Sequence, residues 1–336
     1  MTRPRLRILA AATAAVVLGS AAICALLLNR PGPPLAEPAT VTIREGERIG
    51  DIASGLVEQG VLRSRLLFVV WARLTGRDHQ VHWGEFRIAE PLSPRQLLER
   101  LVGPPDSLHA VTIPEGRTVH EVVSLLATAG LGSEETFQTL LGDPHFLASQ
   151  GLPSEGAEGY LFPDTYSFPL GTPPERVLGI MIRRFHEVFT PEMAERAAQL
   201  GLTPSQAVTL ASLVEAETAR TEERPLVAAV YLNRLKRGMP LQADPTVLYG
   251  RRTGDRRLTR ADLSQPSPYN TYTTLGLPPT PIANPGRAAL EAAVNPAQVP
   301  YLYFVARGDG SHEFNTELAQ HNAAVAKLRH LERARR

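Results

Sequence analysis

The segment TLASLVEAET, residues 209–218, places two carboxylates, Glu215 and Glu217, in a stretch that otherwise has the composition of a buried helix. At about 100° per residue the two side chains fall near opposite edges of the apolar arc, about 160° apart, so both can be half-buried but they cannot share one site. They therefore do not form a carboxylate dyad. One of them could serve as a single general acid, or both could border an amphipathic helix without a chemical role.

Four segments downstream and upstream of this helix are dense in side chains that bind sugars. Aromatic rings stack on pyranose faces, while Asn, Gln, Asp and Thr form hydrogen bonds with hydroxyls and acetamides. Each segment could also be an ordinary structural turn, but their occurrence together favours a glycan-binding site. The segments are Tyr160–Tyr166, Gln242–Thr246, Tyr269–Thr273 and Phe314–Asn322.

Seven longer segments resemble the MltG (YceG-like) family of membrane-anchored endolytic murein transglycosylases. They occur in the expected order between about residues 155 and 325, and none departs from the family pattern in a way that suggests an inactive enzyme. The segments are EGYLFPDTY, LASLVEAETA, VYLNRL, GMPLQADPTVLYG, YNTYTTLGLPP, IANPG and PYLYFVARGDGSHEFNTELAQHN.

The resemblance implies cleavage of the β-1,4 bond between N-acetylmuramic acid and N-acetylglucosamine within peptidoglycan strands, with no water consumed and no cofactor. It also implies that the catalytic acid is Glu217, which directly precedes the Thr of an E-x-E-T motif, and not Glu215. Glu217 would protonate the glycosidic oxygen and then accept a proton from the C6 hydroxyl as a 1,6-anhydro ring closes. Burial beside Leu213 and Val214 would raise its pKa toward neutrality.

Further residues are candidates for contact with the sugar or with the positive charge that develops in the transition state. Tyr160 and Asp164 could instead brace their loop, and Glu215 could orient the surroundings of Glu217. No cluster of Cys and His has the spacing of a structural zinc site, so no metal is predicted. The secondary candidates are Glu215, Gln242, Asp244, Tyr269, Asn270, Tyr272, Asn315, Tyr160 and Asp164.

Three other functions fit the same residues. The chain could be a non-catalytic peptidoglycan-binding protein, a hydrolytic muramidase with a base for water, or an assembly factor that recruits wall synthases. Peptidoglycan synthases are expected partners of the enzyme too, because a membrane-anchored enzyme could cut new strands as they emerge and end their elongation. A net charge of +1, from 35 basic and 34 acidic side chains, argues against nucleic acid as a partner.

The elements that would position these residues have clear local signals and predict an α+β fold. The helix Thr203–Thr218 has Thr203 as N-cap, Pro204 at its first position and Gln206 to complete a capping box. A second amphipathic helix, Leu226–Arg237, ends at Gly238. The segments Met239–Gly250 and Ser264–Pro285 have the composition of loops, and Tyr301–Ala306 with His312–Asn315 predicts a β-hairpin.

An internal repeat precedes this region. Val41–Ala53 (VTIREGERIGDIA) and Val111–Val123 (VTIPEGRTVHEVV) share V-T-I-x-E-G at an offset of 70 residues, and each predicts a strand, a turn and a helix. The pattern resembles the start of a LysM-type module, a small fold that binds N-acetylated glycans, although two packing units without a ligand fit equally well. We predict a LysM-like α+β region over 41–150, a larger catalytic domain over 155–325 and a basic tail over 326–336.

The N-terminus predicts a single membrane anchor. Ile8–Leu28 holds 21 residues without a charge, enough to span the roughly 30 Å hydrocarbon core of a bilayer as a helix. Three arginines within residues 1–7 favour a cytoplasmic N-terminus, so the catalytic domain is expected outside the cytoplasmic (inner) membrane of a bacterium. A cleaved signal peptide or a lipoprotein signal at Cys24, the single cysteine, are the alternatives. The proline-rich residues 29–40 predict an extended linker.

Overall fold

The fold combines many helices with a few short strands. The computed structural model describes residues 18–20, 22–106, 108–169, 171–251 and 258–334 of the 336-residue chain. Within these residues the strands form three separate two-stranded sheets. The predicted α+β class is therefore confirmed.

The chain divides into two compact units. The N-terminal unit comprises the chain up to Ala110 together with Ser167–Pro173, and the C-terminal unit comprises Val111–Tyr166 together with the chain from Pro174 onward. The division lies some 40 residues before the predicted domain boundary near residue 150. As a result, the second copy of the repeat packs within the C-terminal unit.

The N-terminal unit begins with helical residues 18–20 and 22–29, which we call α1. No helix in the described part of the chain is both long and apolar enough to span a bilayer. Of the predicted span Ile8–Leu28, residues 8–17 and 21 lie outside the described residues. The start of the predicted linker is bonded to the unit, because Gly32 donates its N–H to the Leu92 carbonyl at 2.9 Å and Arg63 donates to the Pro31 and Gly32 carbonyls.

The rest of this unit contains the strand, turn and helix predicted for the first repeat, followed by a second helix and a second strand. The two strands pair antiparallel with Val41 opposite Phe86, and their buried side chains meet Leu56, Phe68 and Leu97 in one hydrophobic core. The elements are β1 Ala39–Ile43, α2 Ile49–Glu58, α3 Arg65–Leu74, β2 Gly84–Ile88 and α4 Pro94–Val102.

The second repeat has the same strand, turn and helix, but it packs against the chain around Asn284. The Gly116 N–H donates to the Asn284 carbonyl at 2.9 Å, and the Asn284 side chain and N–H both donate to the Arg117 carbonyl. The Asn284 Oδ1 atom also accepts N–H groups from Gly159 and Leu161. One buried amide thus joins the repeat to two loops, which explains why this copy belongs to the C-terminal unit.

The C-terminal unit is mostly helical. Strand β3, Leu108–Thr112, pairs with β4, Thr165–Pro169, and the division between the units falls within both strands. The elements that lie wholly in the C-terminal unit are α5 Val119–Thr128; α6 Glu134–Leu141; α7 Pro144–Ser149; α8 Pro174–Val188; α9 Pro191–Gln199; α10 Pro204–Glu217; a 3₁₀ turn Thr221–Glu223; α11 Arg224–Lys236; α12 Asp244–Arg251; α13 Arg260–Leu263; α14 Arg287–Val294; β5 Tyr303–Ala306; β6 His312–Asn315; and α15 Leu318–Ala334.

Helix α10 is the centre of this unit. The predicted capping box is confirmed, since Thr203 accepts from the Gln206 N–H and the Gln206 side chain accepts from the Thr203 N–H. All eight residues from 207 to 214 are buried, so the helix is enclosed on every side and is not amphipathic as the sequence predicted. It packs against α9, α11 and α14. Its first residues, 204–206, and its last turn lie at the edge of the core.

Two predictions on the surrounding segments had different outcomes. The hairpin is confirmed: β5 and β6 pair antiparallel, with Tyr303 opposite Asn315. The stretch Met239–Gly250, predicted as loop, instead contains most of helix α12, which starts at Asp244 with Pro245 in its first turn. Proline and an acidic residue both suit the first turn of a helix, so the Asp-Pro pair begins a helix here and not a turn.

Candidate active site

Glu217 is the last residue of α10. The next residue, Thr218, has extended backbone angles (φ −142°, ψ 131°) and ends the helix. Glu217 is half-buried, and its Oε1 atom accepts a hydrogen bond of 2.7 Å from the hydroxyl of Tyr231 on α11. Tyr231 is itself fully buried. A carboxylate at a helix C-terminus also faces the negative end of the helix dipole, which favours the neutral acid.

The surroundings of Glu217 hold its carboxyl in a state suited to proton donation. Burial raises its pKa from the ordinary 4.5 to about 7, and the nearby negative charge of Asp244 adds to this rise. The hydrogen bond from Tyr231 and the charge of Arg234 act in the opposite direction. Near neutral pH a large fraction of Glu217 is therefore protonated, as a general acid requires.

Glu215 lies two residues earlier and has different partners. Its Oε1 atom lies 2.7 Å from Nη2 of Arg224, and both side chains are only 6% exposed. Its Oε2 atom accepts the Gly286 N–H at the start of α14, 2.9 Å away. Burial raises the pKa of Glu215, while the Gly286 N–H and Arg224 favour its anion. Both carboxyl oxygens are bonded to protein groups, which favours the alternative that Glu215 orients the surroundings of Glu217 over direct contact with substrate.

The second repeat contributes to the same ion-pair network. Glu115 Oε2 lies 3.3 Å from the Arg224 Nη2 atom that also bonds Glu215. A Cβ atom at Gly286 would collide with the Glu115 carboxyl, so this approach requires glycine. The positive end of α14 and the Arg224 guanidinium thus face two carboxylates. Glu215, Glu115 and Arg224 tie three segments of the unit together.

Asp244 and Tyr272, two predicted substrate contacts, lie together near Glu217. The Tyr272 hydroxyl donates to Asp244 Oδ1 at 2.6 Å, and the charge of Asp244 contributes to the raised pKa of both Tyr272 and Glu217. Asp244 is exposed at the start of α12. An exposed carboxylate close to the acid is well placed to stabilise positive charge on a bound sugar ring.

Gln242 is held in a strained conformation next to this pair. Its φ of +52° is the only positive value at a non-glycine residue in the described part of the chain. Its N–H donates to the Thr271 carbonyl, and its Oε1 atom accepts from Arg234 Nη1 at 3.2 Å. Such strain persists only where neighbouring contacts enforce it, and it occurs often at functional sites. Gln242 therefore remains a candidate for substrate contact.

Other predicted contacts have structural partners instead. Asn270 is 1% exposed, and its side chain donates to the Leu263 and Gln265 carbonyls and accepts the Tyr272 N–H. These bonds brace the loop that presents Tyr272 and favour a structural role for Asn270 over direct substrate contact. The Tyr269 hydroxyl bonds Thr280, and its ring packs against Tyr249.

The remaining three predicted residues also lie in structural settings. Asn315 is buried in β6 opposite Tyr303, and its Nδ2 atom is a buried donor without a partner among the described residues. The buried Tyr160 ring packs edge-on against Phe185 at 4.9 Å, and Asp164 pairs with Arg184 at 3.0 Å. The positions of Tyr160 and Asp164 favour the bracing alternative over contact with substrate.

Two residues of the site were not predicted, although both lie in the quoted VYLNRL segment. Tyr231 bonds the acid directly. Arg234, three residues later and so on the same side of α11, donates to the Leu302 and Leu241 carbonyls and lies over the Tyr303 ring at 5.1 Å. The available signal was a Tyr and an Arg at i, i+3 spacing in the largely apolar stretch 226–235. Among the described residues, no group of three His, Cys, Asp or Glu side chains could hold a metal ion.

Comparisons with known proteins identify the family of the chain. The YceG-like family profile matches residues 41–327. A Bacillus subtilis (strain 168) protein named endolytic murein transglycosylase is 31% identical over an alignment of 306 residues that covers 85% of this chain and 84% of that protein.

Two further matches agree. A Streptococcus pneumoniae (serotype 2, strain D39) protein of the same name is 33% identical over 298 residues, covering 80% of this chain and 54% of that protein. The crystal structure of a yceG-like protein from Listeria monocytogenes has a TM-score of 0.59 and 27% identity, covering 86% of this chain and 99% of that chain. The chain therefore belongs to the YceG-like family.

Proposed function

We propose that the chain is a peptidoglycan lytic transglycosylase that cleaves the β-1,4 bond between N-acetylmuramic acid and N-acetylglucosamine within glycan strands. The observation that carries the proposal is the setting of Glu217, a half-buried carboxyl with a pKa of about 7 that is bonded by the neutral hydroxyl of Tyr231. The names of the Bacillus and Streptococcus relatives, endolytic murein transglycosylase, support the choice of substrate.

In the first step Glu217 acts as the general acid. Its Oε1 atom accepts from Tyr231, so the acidic proton resides on Oε2 and passes from there to the glycosidic oxygen. The bond from C1 of the muramic residue to that oxygen breaks, and the N-acetylglucosamine leaves as an alcohol. The carboxylate of Asp244 stabilises the positive charge that develops on the ring.

In the second step the same carboxylate acts as a base. Glu217 takes the proton of the C6 hydroxyl while the C6 oxygen forms a bond to C1, which closes the 1,6-anhydro ring and returns Glu217 to its protonated form. No water is consumed. The Tyr231 hydrogen bond is stronger to the anionic intermediate form of Glu217 than to the acid, because charge-assisted hydrogen bonds are the stronger ones.

One observation favours a second candidate, a hydrolytic muramidase. Such an enzyme needs a second carboxylate to activate water. Glu215 is committed to Arg224 and Gly286, but Asp244 is an exposed carboxylate near Glu217 and could take that role. The two functions differ in their products, since hydrolysis adds water to C1 and transglycosylation does not.

The test is a digestion of purified glycan strands in ¹⁸O-labelled water, followed by mass spectrometry. We expect fragments that end in 1,6-anhydromuramic acid and contain no ¹⁸O. Fragments with a labelled reducing end would establish hydrolysis instead, and uncleaved strands that co-sediment with the protein would indicate a binding protein. The Glu217→Gln variant serves as the control for contaminating activities.

We also propose that residues 8–28 anchor the chain in the cytoplasmic membrane of a bacterium, with the catalytic unit outside. The support is the length of this uncharged stretch and the arginines before it. Protease treatment of intact spheroplasts should digest the catalytic unit, and carbonate washing should leave the protein in the membrane. Release by carbonate would contradict the anchor.

We further propose that the first repeat forms part of a LysM-like module. Its support is the order strand, helix, helix, strand from β1 to β2, with the two strands antiparallel. We expect the full chain carrying Glu217→Gln to bind glycan strands through this module as well as through the catalytic unit. Peptidoglycan synthases are the expected protein partners, with termination of strand elongation as the biological role; cross-linking in cells would test the partnership.

A further inference from the structure

The residue that follows Glu217 holds the end of α10 in an unusual way. Many helices end at a glycine in the left-handed conformation, which satisfies the last carbonyls. Here the helix ends at Thr218, whose backbone is extended and whose N–H reaches the Val214 carbonyl only at 3.4 Å. The position of Glu217 therefore depends on what holds the Thr218 side chain.

The Thr218 hydroxyl makes two hydrogen bonds, one as acceptor and one as donor. The side chain is buried, with the residue only 3% exposed. Its Oγ1 atom accepts the Arg220 N–H at 3.1 Å and donates to Glu223 Oε2 at 3.3 Å. Glu223 ends the 3₁₀ turn and is 8% exposed. A buried carboxyl is thus the anchor for the residue next to the acid.

Glu223 is in turn held by His312, the first residue of β6. The His312 N–H donates to Glu223 Oε1 at 2.9 Å, and the ring atom Nδ1 lies 2.6 Å from Oε2. Burial acts to raise the pKa of Glu223, but the bonds from His312 outweigh it and hold this pKa below its ordinary value. An ionised carboxylate only accepts, so Nδ1 carries a proton and the Thr218 hydroxyl donates.

The same imidazole also supports the other side of Glu217. The His312 ring contacts Phe304 edge-on, with centroids 5.5 Å apart, and Phe304 contacts Tyr231 edge-on at 6.0 Å. Tyr231 is the hydrogen-bond donor to Glu217. The β5–β6 hairpin therefore reaches the acid by two routes, through Glu223 and Thr218 to its backbone and through Phe304 and Tyr231 to its carboxyl.

We infer that His312 and Glu223 are positioning residues that set the place of the Glu217 carboxyl relative to Tyr231 and the substrate. The inference rests on the proposed role of Glu217. It adds a positioning role for the β5–β6 hairpin, which is distant from Glu217 in the sequence. Neither residue needs to touch the sugar. A displacement of about 1 Å at a reacting group can lower a rate by about 100-fold, so a small shift of Thr218 is enough to matter.

The test uses the full chain and three substitutions at residue 312. His312→Asn keeps an N–H donor at the δ position, His312→Gln moves the donor one bond further, and His312→Ala removes it. We expect kcat to fall by about 10- to 100-fold in the Ala and Gln variants, with KM within about twofold. The Asn variant should recover most of the loss. Glu313→Gln, a change at the half-buried neighbouring residue that pairs with Arg307, is the matched control and should behave as the parent.

The pH profile separates positioning from general damage to the fold. If Glu217 loosens and becomes more hydrated, the loss of activity at high pH should begin at a lower pH in His312→Ala than in the parent. An unshifted profile with equal losses in the Asn and Ala variants would overturn the inference, as would unchanged kcat in His312→Ala. Thermal denaturation of each variant checks that the fold is intact.

A second readout does not depend on the reaction. The carboxyl carbon of Glu217, labelled with ¹³C and assigned by its loss in Glu217→Gln, can be titrated in the parent and in His312→Ala. A lower midpoint in His312→Ala supports the inference even if the parent proves hydrolytic or inactive, and equal midpoints contradict it. Failure of the proposed reaction is seen separately, in the products of the parent protein.

Discussion

The two sides of the last turn of α10 hold the same type of side chain in opposite electrostatic settings. Glu215 faces the Arg224 guanidinium and the N-terminus of α14, both of which favour an anion. Glu217, at the helix C-terminus, faces the neutral hydroxyl of Tyr231 and the negative charge of Asp244. Only the second setting raises the pKa of a carboxyl to about 7.

The difference shows how one helix can supply a structural carboxylate and a working acid. A rotation of about 160° between residues two apart points them at different neighbours. The neighbouring groups decide the role of each carboxyl. A cation and an N–H bond Glu215 within the fold, whereas burial without a cation in contact favours the protonated form of Glu217. Two acids with separate settings and separate tasks are a recurring arrangement in enzymes.

The largest effect that the comparison predicts is on activity. Glu217→Gln keeps the shape of the side chain but has no proton to donate, so kcat should fall by about 10³-fold or more. Release of anhydro products from glycan strands is the measurement. If the variant retained a tenth of the parental rate, Glu217 would not be the general acid.

The second effect is on stability and concerns the other carboxyl. Glu215→Gln replaces a charged partner of the buried Arg224 with a neutral amide and leaves Glu115, at 3.3 Å, as the carboxylate in contact with it. The free energy of unfolding of the C-terminal unit should fall by about 3 kcal/mol. Chemical denaturation at pH 7.5, followed by circular dichroism, measures this. Activity per folded molecule should stay within about tenfold of the parent; a complete loss of kcat with an intact fold would reverse the assignment of the two glutamates.

The third effect is a gain in stability that depends on pH. The folded-state pKa of Glu217 lies at about 7, above its ordinary 4.5, so its stabilising contribution is present below pH 4.5 and is lost as the pH rises to about 7. At ~1.4 kcal/mol per pH unit the loss amounts to about 3 kcal/mol. Relative to the parent, Glu217→Gln should therefore gain stability between pH 4.5 and 7.

A control is needed for that pH dependence, because a second buried acid titrates in the same range. Burial raises the pKa of Glu158 to about 7, although it accepts from the Val119 N–H and the Tyr249 hydroxyl at 3.0 Å each. The double variant with Glu158→Gln isolates the part due to Glu217. An unfolding curve whose pH dependence is the same with and without Glu217 would contradict the setting described for this side chain.

The smallest effect concerns the Tyr231 hydroxyl, which bonds the Glu217 carboxyl from α11. The Tyr231 bond stabilises the anionic form of Glu217 and so lowers its pKa. Tyr231→Phe should raise that pKa further, move the high-pH decline of activity upward, and lower kcat by about tenfold through the weaker second step. A pH–rate profile in parent and variant measures both. A decline that moves downward in pH would mean that Tyr231 acts on Glu217 in another way.

Local features of the site could be predicted from the sequence, because they depend on neighbouring residues. The capping box of α10, the separation of Glu215 from Glu217 and the β5–β6 hairpin all follow from spacing within about 15 residues. Burial on every side of α10 did not follow, since it depends on how α9, α11 and α14 pack around the helix, and spacing within one helix does not specify that packing. The choice of Glu217 over Glu215 required the E-x-E-T resemblance.

The contacts that define the site were not predictable for the same reason. Tyr231 reaches Glu217 from another helix, and His312 reaches Glu223 across 89 residues. Asn270 shows that residue composition can also point to the wrong kind of contact. In the sequence YNTYT it has the composition of a sugar contact, but its amide is buried in a network of loop carbonyls. Residue type alone does not separate a turn-bracing amide from a ligand-binding one.

The most direct test of the central claim is the titration of the two glutamates themselves. With ¹³C-labelled glutamate, the carboxyl signal that disappears in Glu217→Gln and the one that disappears in Glu215→Gln can each be followed from pH 3 to 9 by NMR. We predict that the Glu217 signal titrates near pH 7 and has the higher midpoint of the two. A Glu217 midpoint near its ordinary 4.5, or one below that of Glu215, would contradict the account.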